Sequence, residues 1–324
     1  MTRNPQANQT VPPPSSSRAA IHVEGVEKRY RTSRLASVLA LDNVSLTVPQ
    51  GEIFGFLGPN GAGKTSLIKI LVGIQGASKG VCQIMGENCG TRESKLRLGY
   101  LPERPYYHEF LTAREFLLFH GRLLGLSDSN IHAKSEKLLD RVGLKKARDQ
   151  KLRTFSKGML QRVGFAQALL HDPAVLILDE PMSGLDPVGR REVRDIIADI
   201  AKTGKTIFFS THIIHDVEVL CTTVGFIQHG KLKGSGNIDS LLGKTVKSVE
   251  IRFSMAADRD ASKVNTLRNS RKTMDGWVLE LESDVEKIEQ QTAEIISSIL
   301  DEKGRVKSII PRKSTLEDLF FGET

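Results

Sequence analysis

Between Gly58 and Thr65 the chain reads Gly-Pro-Asn-Gly-Ala-Gly-Lys-Thr, a glycine-rich octet closing on a lysine and a hydroxyl. These residue types at this spacing suit phosphate. Glycines let backbone N–H groups turn inward with no Cβ in the way. A helix N-terminus behind the loop adds unpaired N–H groups and the positive end of a dipole. In that setting Lys64 bridges the β- and γ-phosphates of a nucleotide, and the Thr65 hydroxyl ligates Mg²⁺. The nucleotide contacts expected here are Gly58, Pro59, Asn60, Gly61, Ala62, Gly63, Lys64, Thr65 and Ser66. By chance the fixed positions coincide in roughly one chain in a hundred of this length. The flanks make chance rarer still, because "EIFGFL" over 52–57 reads as a strand and "TSLIKILVG" as a helix ended by Gly73.

A second chemical cluster follows in "AVLILDEPMSGLDPVGRREV". The continuous apolar run "VLIL" suits a central parallel strand covered on both faces. It ends in Asp179 and Glu180, two acids at a strand's carboxyl end, where open α/β sheets bind their ligands. Asp179 is expected to hold Mg²⁺, directly or through water, and Glu180 to deprotonate an attacking water as general base. "KTIFFSTHII" reads as another strand, running into His212.

In kind and order these motifs resemble the nucleotide-binding subunit of ATP-binding-cassette (ABC) transporters, over about residues 21–240. The resemblance implies an α/β P-loop NTPase fold with an N-terminal antiparallel β-subdomain and a helical subdomain over about 104–170. It implies ATP and Mg²⁺ as cofactors. It identifies "FSKGM" with the family's signature, in which Ser156, Lys157 and Gly158 face the γ-phosphate of ATP held by the other subunit of a dimer. The residues agree, since "SKGMLQRVGFAQALL" is a helix opening on Ser156, a second anion-receptive N-terminus. Lys157 and Met159 depart from the family's usual glycine and glutamine, and such variants resemble an exporter branch.

The same resemblance assigns "SGLDP" to a loop crossing the dimer interface, with Asp186 as its acid. Asp186 before Pro187 is equally a good N-cap and first-turn pair. His212 is implied to contact the γ-phosphate, and Glu103 stands where the family has a glutamine at the Mg²⁺ site. Tyr30 matches the aromatic on which adenine stacks. The stretch after it, with Arg31 and Arg34, is longer than usual, so an ordinary strand-end tyrosine remains the other reading.

These groups need elements to position them. Thr112 and Glu115 have capping-box spacing at the head of "TAREFLLFHGRLLGL", where Phe116, Phe119, Leu123 and Leu124 are expected mostly to pack inside. By resemblance this helical subdomain carries the groove for a short helix of a membrane partner, with Arg104, Tyr106 and Tyr107 as candidate lining residues or as parts of a self-satisfied loop. After Leu242 the pattern changes to an α+β appendage over 243–324, with strands in "VKSVEIRFSM", "DGWVLELES" and "RVKSIIPR" and a helix in "DVEKIEQQTAEIISSILDEKG". A short helix opening at Ser314 ends it.

The whole chain of 324 residues is long enough for more than one domain, and its 39% hydrophobic and 26% charged content is that of a globular protein. Its longest apolar run falls short of the ~18 residues of a membrane span. Residues 1–19, rich in Pro, Ser, Gln and Asn, are expected to be a disordered tail. Cys82, Cys89 and Cys221 form no metal-ligand spacing and no plausible disulfide framework. The expectation is a cytoplasmic ATPase, peripheral on the inner face of the membrane, with an integral-membrane permease and a second ATPase subunit as partners. The runner-up is a soluble ATPase acting on ribosomes or DNA. A net charge of +8 does not decide between them, but one set of motifs and no long heptad repeat disfavour the second, so no nucleic-acid partner is expected.

Overall fold

Three short strands, wholly or almost wholly buried, form the middle of the first part of the protein: β3 (Ile53–Leu57), β7 (Val175–Leu178) and β8 (Thr206–Thr211). The computed structural model describes residues 19–31, 37–242, 246–255, 260–282, 285–313 and 315–321. It divides into two compact units, one up to Ile238 and one from Asp239. Of the expected tail, Ala19 opens the first strand and the remainder lies outside the described residues, as does Arg34.

In the first unit β3, β7 and β8 join β6 (Leu98–Leu101), β9 (Thr223–Gln228) and β10 (Lys231–Asn237) in a six-stranded sheet ordered β10-β9-β3-β8-β7-β6. All neighbours are parallel except β9 and β10. Burial on both faces explains why these strands are continuous apolar runs and do not alternate. Register sets up the chemistry. Leu57 pairs with Thr211, and Leu178 with Phe209, so β3, β7 and β8 release the chain side by side at one edge.

A second, antiparallel sheet has the order β2-β1-β4-β5, from β1 (Ala19–Arg31), β2 (Ser37–Pro49), β4 (Lys79–Ile84) and β5 (Glu87–Asn88). One core cluster joins its buried Ile21, Val23, Val44 and Leu46 to Leu67, Ile68 and Leu71 of α1 (Lys64–Leu71) and to Phe54, Phe56 and Phe208. Phe208 stacks on Phe54 with ring centres 5.5 Å apart and lies tilted against Phe56 at 5.4 Å.

Helices α3 (Ala113–Leu123), α4 (Asp128–Arg141) and α5 (Lys157–Leu169) pack on one another. They follow the short α2 (Arg92–Leu96). The capping box at Thr112 and Glu115 forms in both directions. The expected burial of its apolar residues holds for Phe116 but not for Phe119, Leu123 or Leu124, of which Phe119 is 40% and Leu123 69% exposed. The reason is the ridge that α4 chooses. Ile131 of α4 sits against Gly121, so α3 buries Ala113, Leu117 and Gly121. Phe119 and Leu123 stand two residues further on, about 200° around the helix. Tyr107 also differs from a groove-lining residue: it packs on Phe116 and its hydroxyl donates to Leu160 O at 2.6 Å. Helices α6 (Pro187–Ala201) and α7 (Ile214–Leu220) pack on β8, and α7 on β3 as well.

The second unit holds most of α8 (Ile238–Leu242) and an antiparallel sheet ordered β12-β13-β11-β14. Its strands are β11 (Val246–Ser254), β12 (Arg271–Thr273), β13 (Gly276–Glu282) and β14 (Arg305–Lys313). Helix α9 (Val285–Asp301) lays Ile288, Ile295 and Ile299 on Val249, Ile251, Phe253 and Leu279. The short β12 and two single turns of 3₁₀ helix carried no periodic signal in the sequence. Ser314, the expected cap of α10 (Leu316–Phe321), lies outside the described residues.

Because Phe208 is fully buried between two other rings, Phe208→Ala is expected to cost about 3–5 kcal/mol. Urea unfolding followed by far-UV circular dichroism measures this, and a cost under ~1 kcal/mol would contradict the packing described.

Candidate active site

The turn from β3 into α1 shapes the site. Gly61 and Gly63 have φ of +78° and +112°. A Cβ on Gly63 would lie 2.7 Å from the Ala40 carbonyl, so the loop folds only with glycine there. No side chain caps the N-terminus of α1, which leaves its first amides to a ligand or solvent.

Lys64 is only 6% exposed, yet its ammonium has three acceptors for its three hydrogens. It donates to Gly58 O at 2.7 Å and Pro59 O at 3.2 Å, and pairs with Glu180 Oε1 at 3.1 Å. The other Glu180 oxygen, Oε2, lies 2.9 Å from His212 Nδ1. A carboxylate can only accept, so Nδ1 carries the proton. Glu180 is a non-glycine residue at φ +48°, a conformation that survives where surrounding bonds over-determine it. Here its N–H donates to Ser210 Oγ at 2.9 Å.

The Ser210 hydroxyl also donates to Asp179 Oδ1 at 2.7 Å. Asp179 is 2% exposed. Burial pushes its carboxyl above the usual carboxylate range, Glu103 and Glu180 add to this, and bonds from Ser210 and Thr65 oppose it. A divalent cation would reverse that balance. The donors present fit such an ion: the Thr65 hydroxyl, Asp179 and Glu103 offer oxygen only, which suits Mg²⁺.

A cavity of about 390 Å³ opens over these groups. Of the residues expected from the sequence, it brings together Asn60, Gly61, Gly63, Lys64, Thr65, Ser66, Glu103, Glu180 and His212. Asp179 lies beneath it, bonded to Thr65. Gly58 and Pro59 serve Lys64 through their carbonyls, and Ala62 is buried with its carbonyl accepting from Gly230 N–H. Tyr30 does not line the cavity. Its hydroxyl donates to Gln75 Oε1 at 2.6 Å and reaches Ser66 Oγ at 3.3 Å, while Lys28 Nζ sits 5.2 Å from its ring centre.

Ser156, Lys157, Gly158 and Asp186 do not line the cavity, which the "SGLDP" loop reaches through Ser183. Ser156 caps α5, accepting from Met159 N–H, and Asp186 caps α6, accepting from Gly189 N–H at 2.9 Å. The ammonium of Lys157 lies directly over Gly184 in the crossing loop of its own chain. Nothing crowds Gly158.

Four residues escaped sequence reasoning. Ser183 and Ala40 line the cavity, Ser210 orients both acids, and buried Gln161 ties α5 to Pro181 O at 2.9 Å. Ser210 carried one signal: with Thr211 it makes a pair of small polar residues at the end of a buried strand, just before His212. In the first turn of α7, Asp216 is buried with Arg194 3.8 Å from Oδ1 and no partner for Oδ2 among the described residues.

With this geometry in place, the comparisons with known proteins agree among themselves. The family model "ABC transporter" matches residues 41–183. An uncharacterized ABC transporter ATP-binding protein of Synechocystis is 41% identical over 299 residues, covering 91% of this chain and 82% of the relative. A bacitracin transport ATP-binding protein of Bacillus licheniformis is 40% identical, covering 69% of this chain and 73% of its own. Among solved structures, CbiO1 from Clostridium perfringens, described as part of the ABC transporter complex CbiONQ, superposes with a TM-score of 0.62 at 27% identity, over 70% of this chain and 91% of that one. The fold and the site define a P-loop ATPase of the cassette type. The chain belongs to the ABC transporter family, as an ATP-binding subunit.

The raised Asp179 makes a test of this electrostatic picture. The folded protein holds a proton there that the unfolded chain has released, so stability falls as pH rises from the ordinary carboxylate range through the raised value. Asp179→Asn removes the buried charge. Without nucleotide or Mg²⁺, its Tm is expected to exceed that of the parent at pH 8 by about 2–4 °C, what ~1 kcal/mol is worth in a unit of this size, with a smaller gain at pH 5. A lower Tm at pH 8 would show that burial does not dominate.

Proposed function

We propose that the chain hydrolyses ATP with Mg²⁺ and that this cycle drives export through a separate membrane permease, two ATPase subunits clasping the nucleotides between them. One observation carries the reading: the Glu180 carboxyl is held between Lys64 and His212 at the mouth of the phosphate loop. When ATP enters, the Lys64 ammonium exchanges Glu180 for β- and γ-phosphate oxygens. Glu180, still fixed by His212 at one oxygen and by Ser210 at its backbone, is then free to take a proton from water. That water attacks the γ-phosphorus and the bond to the β-phosphate oxygen breaks, giving ADP and phosphate. Thr65, Asp179 and Glu103 are the residues that would hold Mg²⁺, whose charge offsets that of the phosphate oxygens.

The clasp is supported by what one chain leaves out. Ser156, Gly158 and Asp186 stand outside the chain's own cavity, at helix N-termini suited to a phosphate presented by a second subunit. Gripping the γ-phosphate from two sides gives ATP and ADP different affinities for the closed pair, which a motor requires. The export direction is supported by Lys157 and Met159 in the signature and by the relative named for bacitracin transport.

A place for the permease is supported by the surface around α3. Tyr106 is 85% exposed, and Phe110, Phe119 and Leu123 stand out with it, with His108 between three of the rings at 5.2–5.8 Å. Such a cluster is costly in water and suits a docking helix. No described helix is long and apolar enough to cross a membrane, so on this reading the pathway belongs to the partner.

Glu180→Gln is expected to bind ATP and lose hydrolysis by ~10²–10⁴-fold, and to pass from monomer to dimer on size exclusion when ATP and Mg²⁺ are added. Near-normal turnover would remove Glu180 from the mechanism, and a persistent monomer with the permease present would end the clasp. Separately, Tyr106→Glu with Phe119→Glu should abolish recovery with a multi-span protein from detergent-extracted membranes while ATP binding stays within about twofold. Recovery with ribosomes or DNA alone would overturn the transport reading.

A further inference from the structure

Cys82 and Cys89, for which the sequence suggested no pairing, face each other across the hairpin of β4 and β5. Its turn is Met85-Gly86, both at positive φ, 53° and 84°, the two-residue form that matches strand twist. From it Ile84 pairs with Glu87 and Gln83 with Asn88. The next opposed residues are Cys82 and Cys89, joined by Cys89 N–H donating to Cys82 O at 2.9 Å. Residues so paired stand about 5.5 Å apart at Cα, inside the span of roughly 4.4–6.8 Å that a disulfide bridges. Both cysteines are free, and their thiols are hydrogen-bonded to each other, which favours loss of the pair's first proton. Cys82 is buried in the core that contains α1, and Cys89 is half-buried at its edge, the more reachable sulfur.

We propose that Cys82 and Cys89 form a reversible dithiol–disulfide site, oxidised by a peroxide or a small-molecule disulfide, whose oxidised form binds ATP less tightly. With hydrogen peroxide, one thiolate attacks oxygen to give a sulfenic acid and, after protonation, water. The second sulfur then displaces the sulfenic oxygen as a second water, and the S–S bond forms. The two sulfurs give up two electrons and their two hydrogens leave in the two waters. With glutathione disulfide, two glutathione thiols leave instead. A cross-link between strands already fixed by a ladder and a two-residue turn has little room to relax, and strained disulfides are readily reduced.

The consequence for ATP, which rests on the nucleotide reading above, follows from the next residue. Gly90 touches Gly73, where a Cβ would lie 2.4 Å from the Gly90 Cα. Gly73, at φ +70°, closes α1, whose other end is Lys64. Two residues further, Gln75 holds the Tyr30 hydroxyl. A shift at Cys89 therefore bears on the far end of the phosphate-loop helix and on the tie between Gln75 and Tyr30.

The test treats the full chain with glutathione disulfide. Peptide mapping is expected to show Cys82 linked to Cys89 with loss of two hydrogens, reversed by dithiothreitol. The Kd for a fluorescent ATP analogue should rise about three- to tenfold on oxidation. Cys82→Ser and Cys89→Ala should each abolish both effects, and Cys221→Ser neither. A mixed disulfide on Cys89 alone, no link, or a link with unchanged Kd overturns the proposal. If the reduced protein bound no ATP, the nucleotide reading would fail, and the mass shift would still decide whether the dithiol closes.

Discussion

Burying an ammonium group obliges the chain to surround it with acceptors, and Lys64 draws its three from two different places: two loop carbonyls and one oxygen of Glu180. The carbonyls come from the turn after β3, the acid from the end of β7, and β8 lies between them in the sheet. An unpaired buried charge is expensive, so the positions of three strand ends are tied to one nitrogen. The same constraint carries function. On the proposed mechanism a phosphate that enters replaces Glu180 at Lys64, and the acid displaced is the one proposed to take the proton from water.

Ser210 is the quieter half of this arrangement. One hydroxyl donates to Asp179 and accepts from the Glu180 amide, so both neighbouring acids are positioned by the same atom. It also stabilises the left-handed backbone of Glu180, which turns that carboxyl away from the strand direction and toward Lys64. Strain at such a residue is tolerated where neighbouring bonds hold it, and here strand β8 supplies them.

Helix α5, which carries "SKGM" at its start, contributes no residue to the lining of its own chain's cavity. Ser156 and Asp186 are occupied as helix caps and Lys157 rests over Gly184. Capping and phosphate contact are compatible, because both use the same helix N-terminus. The exposed rings near α3 stand on the face that α4 does not cover, which is the face proposed above for the permease.

Lys64, Thr65, Asp179, Glu180 and His212 were legible as candidates in the sequence alone, because a phosphate loop, an acid pair after an apolar strand and a histidine after another are local patterns whose chemistry depends on spacing of a few residues. The caps at Thr112, Ser156 and Asp186 were legible for the same reason. What contacts what was decided by tertiary structure. Glu180 lies between Lys64 and His212 because strand order and register align three strand ends. Phe119 and Leu123 are exposed because Gly121 admits Ile131 on the other ridge. Cys82 meets Cys89 because a two-residue turn sets their register. Periodicity and capping act over one or two helical turns, whereas these pairings join residues far apart in sequence and exist only once the sheets have formed.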